Sequence, residues 1–152
     1  MSNVAVIAAI TVSTMIVATS VHAGDVEPVP LTITTAGLRN SNGTLKIAVF
    51  DKADGFPGKA KQGVHAASLK LKELQTSGRV MHQIKLPPGK YAVAVLHDEN
   101  DNGTIDFHWY GAPAEGYGVS NNPAPTWSAP TYEASEFELP NKPTTITIEM
   151  RY

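Results

Sequence analysis

The 152-residue chain contains no cysteine. This absence excludes a disulfide framework, a cysteine nucleophile, thiolate metal ligands and a lipid-modified cysteine. A domain without disulfides depends on its hydrophobic core, and residues 24–152 are long enough to form one. We therefore expect a single small domain that is stabilised by packing, with a bound ion as the one obvious supplement.

Charged residues are absent from residues 1–24. Residues 4–21 are mostly apolar, and Val21-His22-Ala23 matches a small-x-small cleavage site. We predict a signal peptide at residues 1–23, cleaved after Ala23, which makes the protein periplasmic or secreted and leaves it without a membrane contact. The alternative is an uncleaved anchor, because about 18 apolar residues can just span a bilayer.

Basic residues are absent from residues 91–141, which carry eight Asp and Glu residues, whereas residues 25–90 carry ten Lys and Arg residues and five acidic ones. An acidic half attracts cations and repels a nucleic-acid backbone. We expect no nucleic-acid partner. A solvated acidic face is the simplest alternative, but the acidic residues concentrate in one short stretch.

No long segment has the apolar spacing of a helix. Short segments instead alternate apolar and polar residues between turn signals. After a linker at residues 24–30, residues 31–152 are predicted to form an all-β domain, an antiparallel two-sheet β-sandwich of about seven strands, immunoglobulin-like or transthyretin-like. The predicted strands are residues 31–34, 45–50, 66–74, 80–86, 91–97, 134–139 and 145–150.

Two of these strands carry further detail, and two other segments have their own predictions. Residues 66–74 also suit a short helix, because alanines and lysines interrupt the alternation. Residues 91–97 are apolar on both sides, which indicates a strand with both faces covered. Residues 105–110 are predicted as an additional short strand, and residues 111–132 as one long irregular loop.

A loop rich in side-chain oxygens follows residues 91–97. Asp98, Asn100, Asn102 and Asp106 occupy loop positions 1, 3, 5 and 9, and Gly103 occupies position 6. This is the spacing of an EF-hand calcium loop. We predict a calcium site in which the backbone carbonyl of Thr104 and a folded-back Glu115 join these four side chains.

Two features weaken the predicted calcium site. Position 12 is Trp109, which supplies no bidentate carboxylate, and the flanking segments are strands. We therefore expect a dissociation constant of about 10⁻⁴–10⁻³ M. The alternative is a turn without an ion, because Asn102-Gly103 tolerates positive φ and Asx side chains satisfy turn backbone. We favour the calcium site over the turn without an ion, because a turn alone does not explain oxygen-bearing side chains at positions 1, 3, 5 and 9.

Several motifs occur in order along the chain: Leu86-Pro87-Pro88-Gly89-Lys90-Tyr91-Ala92, the stretch from His97 to Gly103, Asp106, and the stretch from Gly111 to Asn122. Together they resemble a family of small exported bacterial proteins, domain of unknown function 2141. The resemblance implies an exported β-sandwich with no established activity. The Leu-Pro-Pro-Gly-x-Tyr turn is also similar to one in transthyretin-like and carboxypeptidase-regulatory-like sandwiches, which supports the fold alone.

Aromatic residues concentrate between residues 106 and 132. One hypothesis is a carbohydrate- or peptide-binding face formed by four of them, Trp109, Tyr110, Tyr117 and Trp127, since flat rings anchor ligands. The alternative, which we favour, is that the aromatics cap the open end of the sandwich under the long loop.

An enzyme requires a reactive constellation that the sequence does not offer. Asp98, Asp106 and Glu115 are the only candidates for a metal-dependent or acid-pair hydrolase, and spacing alone does not give their separation. Ser120 lacks the context of a nucleophile elbow. A zinc site on His97 and His108 lacks paired-histidine spacing. We therefore expect a non-enzymatic module, with a glycan or a protein as its possible partner.

Overall fold

Eight short strands in two sheets form the domain in the computed structural model, which describes residues 26–74, 78–125 and 128–152. The predicted signal peptide and Trp127 lie outside these ranges. The strands are β1 (Val29–Ala36), β2 (Thr44–Phe50), β3 (His65–Lys70), β4 (Arg79–Leu86), β5 (Gly89–Asp98), β6 (Gly116–Val119), β7 (Phe137–Leu139) and β8 (Thr144–Glu149).

The two sheets differ in their strand directions. The smaller sheet has the order β4-β1-β8, in which β1 is antiparallel to β4 and parallel to β8. The larger sheet has the order β3-β2-β5-β6, and β7 pairs with the start of β5. The predicted two-sheet all-β fold is confirmed. The purely antiparallel pairing is wrong for β8, because the chain leaves β7 in one sheet and enters β8 in the other.

Strand β5 is buried on both of its faces, as its apolar pattern predicts. Tyr91, Val93 and Val95 point into the main core between the sheets, while Ala92 and Ala94 belong to a second cluster on the outer side of the larger sheet. The ring of Phe56 packs edge-on against Phe50 and Tyr132 in that outer cluster. Burial of one large side chain such as Phe50 contributes about 1.5–3 kcal/mol to the free energy of unfolding.

Alternation also identifies the inward residues of the smaller sheet. In β4, Val80, Ile84 and Leu86 are buried between exposed neighbours, and in β8 Ile148 is fully buried. Residues 66–74, whose composition suits both a strand and a short helix, form a strand followed by a helical turn. The strand ends at Lys70, and the 3₁₀ turn spans Leu71–Leu74.

Two predictions about the region after β5 are wrong. Residues 105–110 form no strand and make only an isolated bridge between Phe107 and Pro113. Residues 111–132 are not one irregular loop, because β6 lies within them. A Cβ atom at Gly116 would lie 2.4 Å from the ring of Tyr152, and one at Gly118 would lie 2.7 Å from Ile148. These glycines therefore permit close packing and do not form turns.

The predicted strand at residues 134–139 begins late. A one-turn helix, α1 (Tyr132–Ser135), precedes β7, and the side chain of Thr131 accepts a hydrogen bond from the backbone of Ala134 at 3.2 Å. This cap holds Tyr132 against the outer cluster. Among the described residues, no helix has the length and apolar content to cross a membrane.

Candidate functional site

The acidic loop, residues 98–115, joins the neighbouring strands β5 and β6. β5 ends at Asp98, β6 begins at Gly116, and His97 lies opposite Gly116 in the strand register. Because the sheet holds the two strand ends side by side, the carboxylates of Asp98 and Glu115 both lie at the base of the loop. The loop geometry is therefore set by the sheet.

Asp98 is fully buried and organises the first turn of the loop. Its Oδ1 accepts a hydrogen bond from the backbone of Asn102 at 3.1 Å, and its Oδ2 accepts one from Gly103 at 2.9 Å. Gly103 has a φ of +93° and Asp101 has one of +61°, both in the left-handed region. The positive φ predicted for Gly103 is therefore present, whereas the one predicted for Asn102 is taken by Asp101 instead. Asp98 supplies the Asx acceptor for the turn backbone.

Asp106 lies at the centre of the remaining polar side chains. Its Oδ2 accepts a hydrogen bond from the amide of Asn100 at 2.6 Å, and both of its oxygens accept from the amide of Asn102 at 3.0 Å. The Oδ1 of Asn102 accepts from the backbone and hydroxyl of Thr104, at 2.9 and 3.2 Å. The structure thus brings together the four spaced side chains and Thr104.

Glu115 folds back onto the loop, as the calcium hypothesis expects. It is only 4% exposed. Its Oε1 accepts a hydrogen bond from the backbone of Glu99 at 2.9 Å, and its Oε2 accepts one from that of Asp106 at 3.2 Å. These two bonds connect the start and the middle of the loop to its end.

Asp101 is the acidic residue that points away from this cluster. Its carboxylate accepts hydrogen bonds from the hydroxyl of Thr44 and from Lys70, the latter at 2.8 Å. The hydrogen bond from Lys70, followed by that from Thr44, lowers the pKa of Asp101. This outward direction is expected for Asp101, because it occupies loop position 4, between the inward positions 3 and 5.

Besides Lys70, two further basic residues contact the loop, and the sequence argument missed all three. The Nζ of Lys46, on β2, lies 2.9 Å from Oδ2 of the buried Asp98. Arg39 forms a two-point ion pair with Glu99, and this hydrogen bonding from Arg39 is the main reason that the pKa of Glu99 is lowered. Neither contact leaves a signal in the sequence, because each depends on which strands become neighbours.

The donor set can be tested against calcium by counting acceptor positions, of which an ionised carboxylate has about four. Among the described residues, Asp98 uses three positions, for Asn102, Gly103 and Lys46, and Glu115 uses two. Asp106 uses three, for Asn100 once and Asn102 twice. Each carboxylate therefore retains capacity for a cation.

The same count shows that the loop has too few free side-chain oxygens to complete a calcium shell. Both lone pairs of the Asn102 amide oxygen are used by Thr104. Within the described residues, no three His, Asp or Glu side chains gather closely enough to hold a metal by themselves. Since calcium takes six to eight oxygens, the Asn100 amide, backbone carbonyls and water are needed as well. The described side chains by themselves do not complete such a shell, so the calcium site stays a prediction.

The tip of the acidic loop carries exposed aromatic side chains. Trp109 is 95% exposed, Tyr110 61% and Phe107 60%. The rings of Trp109 and Tyr110 meet edge to face at 5.5 Å, and His108 stacks on Tyr110 at 5.1 Å. The prediction that these aromatics cap the sandwich is wrong for these three residues, whereas Tyr132 does pack in the outer cluster.

The other two aromatics of the binding hypothesis lie elsewhere. Tyr117 is a half-buried residue of β6 and exchanges backbone hydrogen bonds with Arg151 at 2.8 and 2.9 Å. Trp127 lies outside the described residues, so its part in the hypothesis stays a prediction. Among the three described members of the set, Trp109 and Tyr110 are the two in ring contact.

The remaining polar candidates have structural roles. Both ring nitrogens of the buried His97 have partners, the hydroxyl of Tyr152 at 2.7 Å and the carbonyl of Asn42 at 2.9 Å. The buried hydroxyl of Ser120 accepts a hydrogen bond from Val93 at 2.9 Å and donates one to the carbonyl of Ser135 at 2.5 Å. These contacts orient β5 and β6 and leave neither side chain free for catalysis.

Comparison with known proteins agrees with the resemblance noted from the motifs. Neither the curated proteins nor the solved structures that were searched gave a significant match. A model of one family, described as "uncharacterized protein conserved in bacteria", matches residues 33–147, which include all or part of every strand and the whole acidic loop. The chain therefore belongs to the bacterial family of domain of unknown function 2141.

Proposed function

We propose that this protein is an exported, non-enzymatic β-sandwich module whose acidic loop binds calcium. The observation that supports the proposal is the hydrogen-bonded packing of Asn100, Asn102 and Asp106 within one loop, whose two ends carry the buried carboxylates of Asp98 and Glu115. Each of these three carboxylates keeps acceptor capacity for a cation. The ion would stabilise the loop conformation and, through it, the position of the aromatic tip.

Lys46 sets the expected strength of this binding. Its ammonium group already neutralises part of the charge on Asp98, at 2.9 Å. A calcium ion next to Asp98 therefore experiences repulsion from Lys46 or displaces it. This competition, together with the missing carboxylate at position 12, supports a dissociation constant in the range of about 10⁻⁴–10⁻³ M.

Thermal unfolding in calcium and in a chelator tests the proposal. Calcium at a hundredfold excess over its dissociation constant should raise the free energy of unfolding by about 2.7 kcal/mol. Asp106→Asn should abolish this increase, because it removes the charge at the centre of the cluster. Asp101→Asn is the matched control and should retain it, since Asp101 contacts Thr44 and Lys70.

Two results would contradict the calcium proposal. One is identical unfolding of the unaltered protein in calcium and in chelator. The other is an equal loss of the calcium effect in Asp106→Asn and Asp101→Asn, because general electrostatic screening would explain that result. Magnesium at the same concentration controls for ionic strength, since its smaller octahedral shell suits this loop less well.

Export is a separate part of the proposal and has its own test. The charge-free, apolar residues 1–23 and the Val21-His22-Ala23 site support a cleaved signal peptide. Intact mass measurement of the protein recovered from the periplasm or medium should give a chain that begins at Gly24. A recovered chain that retains residues 1–23 and sediments with membranes would favour the anchor instead.

A second candidate function, carbohydrate binding, is favoured by the exposure of Trp109 and Tyr110. Two aromatic rings in contact, one of them 95% exposed, form the kind of flat apolar surface on which sugar rings stack. A glycan array followed by titration of Trp109→Ala tests this function. Met81→Ala, which removes an exposed apolar side chain of the smaller sheet, serves as the control. Equal affinity of both variants would exclude the tip as the binding surface.

A further inference from the structure

Two histidines face each other across the open edge of the sandwich. β3 is an edge strand of the larger sheet and β4 is an edge strand of the smaller one. His65 lies at the start of β3, and His82 lies on the side of β4 that carries the buried Val80 and Ile84. Both imidazoles are half-buried, so each has one side toward the core and one toward solvent.

The two rings approach each other through their Nε2 atoms. The Nε2 of His65 lies 3.2 Å from the Nε2 of His82. The ring centroids are 5.4 Å apart and the ring planes differ by 28°. Because the centroids are much farther apart than the nitrogens, the rings meet tip to tip and not face to face. Both Nε2 atoms therefore point into the small region between the two rings.

We propose that His65 and His82 form a binding site for a divalent transition metal of the zinc class. Two Zn–N bonds of 2.0–2.1 Å at a tetrahedral angle place their nitrogens about 3.3–3.4 Å apart, close to the observed separation. Imidazole is a preferred ligand of Zn²⁺, Ni²⁺ and Cu²⁺ and a poor one for calcium. The site is thus distinct in chemistry and position from the acidic loop.

The metal-free pair requires little rearrangement to accept the ion. At 3.2 Å, one neutral ring donates its Nε2 proton to the Nε2 lone pair of the other. On metal binding the donor ring shifts that proton to its own Nδ1, so that both Nε2 lone pairs bind the metal and no proton is released. Water completes the coordination shell on the solvent side. With two protein ligands, the affinity is lower than that of a site with three or four.

The ion would act as a clamp between the sheets. At this edge the chain passes from the end of β3 to the start of β4 through residues 71–78. A metal bound to both strands restrains the same edge non-covalently, and it stabilises the folded state by its binding free energy. Zinc is therefore expected to raise the unfolding temperature in the presence of calcium as well as in calcium-free buffer without a chelator.

Calorimetric titration of the exported protein, purified without a histidine tag, with Zn²⁺ and Ni²⁺ tests the proposal. We expect one ion per chain and an affinity that falls at least tenfold in His65→Gln and in His82→Gln. His108→Gln, which removes an imidazole from the exposed loop tip, should bind as the unaltered protein does. The Nε2 resonances of both histidines should shift in ¹⁵N-edited spectra on addition of zinc.

Three results would overturn the metal site. The first is an absence of zinc binding at millimolar concentration by the folded protein. The second is an unchanged affinity in both His65→Gln and His82→Gln. The third is a loss of affinity in His108→Gln as large as in these variants. If either glutamine variant fails to fold, His65→Asn and the resonance shifts of the unaltered protein still decide between the outcomes.

Discussion

The imidazole of the fully buried His97 accepts a hydrogen bond from the hydroxyl of Tyr152 across 2.7 Å. The direction follows from the other ring nitrogen. Nε2 lies 2.9 Å from the carbonyl of Asn42, which can only accept, so Nε2 carries the proton. The hydroxyl of Tyr152 in turn accepts from the backbone of Arg39 at 3.2 Å. Tyr152 thereby links β5 to the turn before β2.

Tyr152→Phe is expected to lower the free energy of unfolding by about 1–3 kcal/mol, because it leaves the buried Nδ1 of His97 without a donor. Burial raises the pKa of Tyr152, so the hydroxyl remains a donor through neutral pH. Denaturant unfolding measures the effect. Tyr110→Phe, at an exposed hydroxyl, should change stability by less than about 0.5 kcal/mol. Equal effects of the two substitutions would contradict the proposed link.

Lys46→Met is expected to destabilise the protein without calcium by about 1–3 kcal/mol, since it removes the cation next to the fully buried side chain of Asp98. The same substitution should strengthen calcium binding, because it removes the competing charge. Lys70→Met is the charge-matched control and should do neither. Unfolding curves with and without calcium measure both effects. A variant that is destabilised but gains no calcium affinity would exclude competition at Asp98.

Gly118→Ala is expected to destabilise the protein by about 1–3 kcal/mol, because its Cβ would lie 2.7 Å from a carbon of the buried Ile148 and 3.0 Å from a backbone oxygen. Gly58→Ala is the control. Its Cβ would meet nothing within 4 Å, and the loss of unfolded-state freedom should leave stability unchanged or slightly higher. Thermal unfolding separates the two. A neutral Gly118→Ala would mean that β6 packs less closely than described.

The Arg39–Glu99 pair predicts an acid-dependent loss of stability. The hydrogen bonds from Arg39 lower the folded-state pKa of Glu99 below its ordinary value of 4.5. A lowered carboxyl pKa stabilises the fold at pH values above 4.5, and this contribution is lost as the pH falls through the lower, folded-state pKa. We expect about 0.5–1 kcal/mol, because the Arg39 side chain is 45% exposed and solvent screens the pair.

Glu99→Gln isolates this contribution. Its free energy of unfolding should be lower than that of the unaltered protein near neutral pH, and the difference should vanish in acid. Glu133→Gln, in the first turn of α1, serves as a charge-matched control. A difference between Glu99→Gln and the unaltered protein that persists in strong acid would show that the glutamate stabilises the fold by packing and not by its charge.

Much of the fold could be predicted because the evidence for it is local. Apolar residues on both sides of residues 91–97 correctly predicted a strand with both faces covered, and Asn102-Gly103 correctly predicted a bend with a positive φ at Gly103. Glycines misled the prediction at β6. In Gly116-Tyr117-Gly118 they resemble turn signals, yet their lack of Cβ atoms allows Tyr152 and Ile148 to approach. No local pattern distinguishes these two uses of glycine.

The candidate site was predicted in part for the same reason. Asp98, Asn100, Asn102 and Asp106 are close in sequence, so their spacing predicted a cluster that the structure contains. Lys46 was missed, although it contacts Asp98, the most buried of these residues. It lies 52 residues before Asp98, on β2, and only the pairing of β2 with β5 in the sheet brings the two side chains together. The His65–His82 pair was missed because it joins two different sheets.

By itself, the sequence determined most of the strands and the side chains that lie in the acidic loop, since side-chain periodicity and turn chemistry act over a few residues. Tertiary structure decided the direction of β8, the cation beside Asp98 and the meeting of His65 with His82. These contacts depend on strand order and sheet packing, in which burial of the whole core selects the partners of each strand.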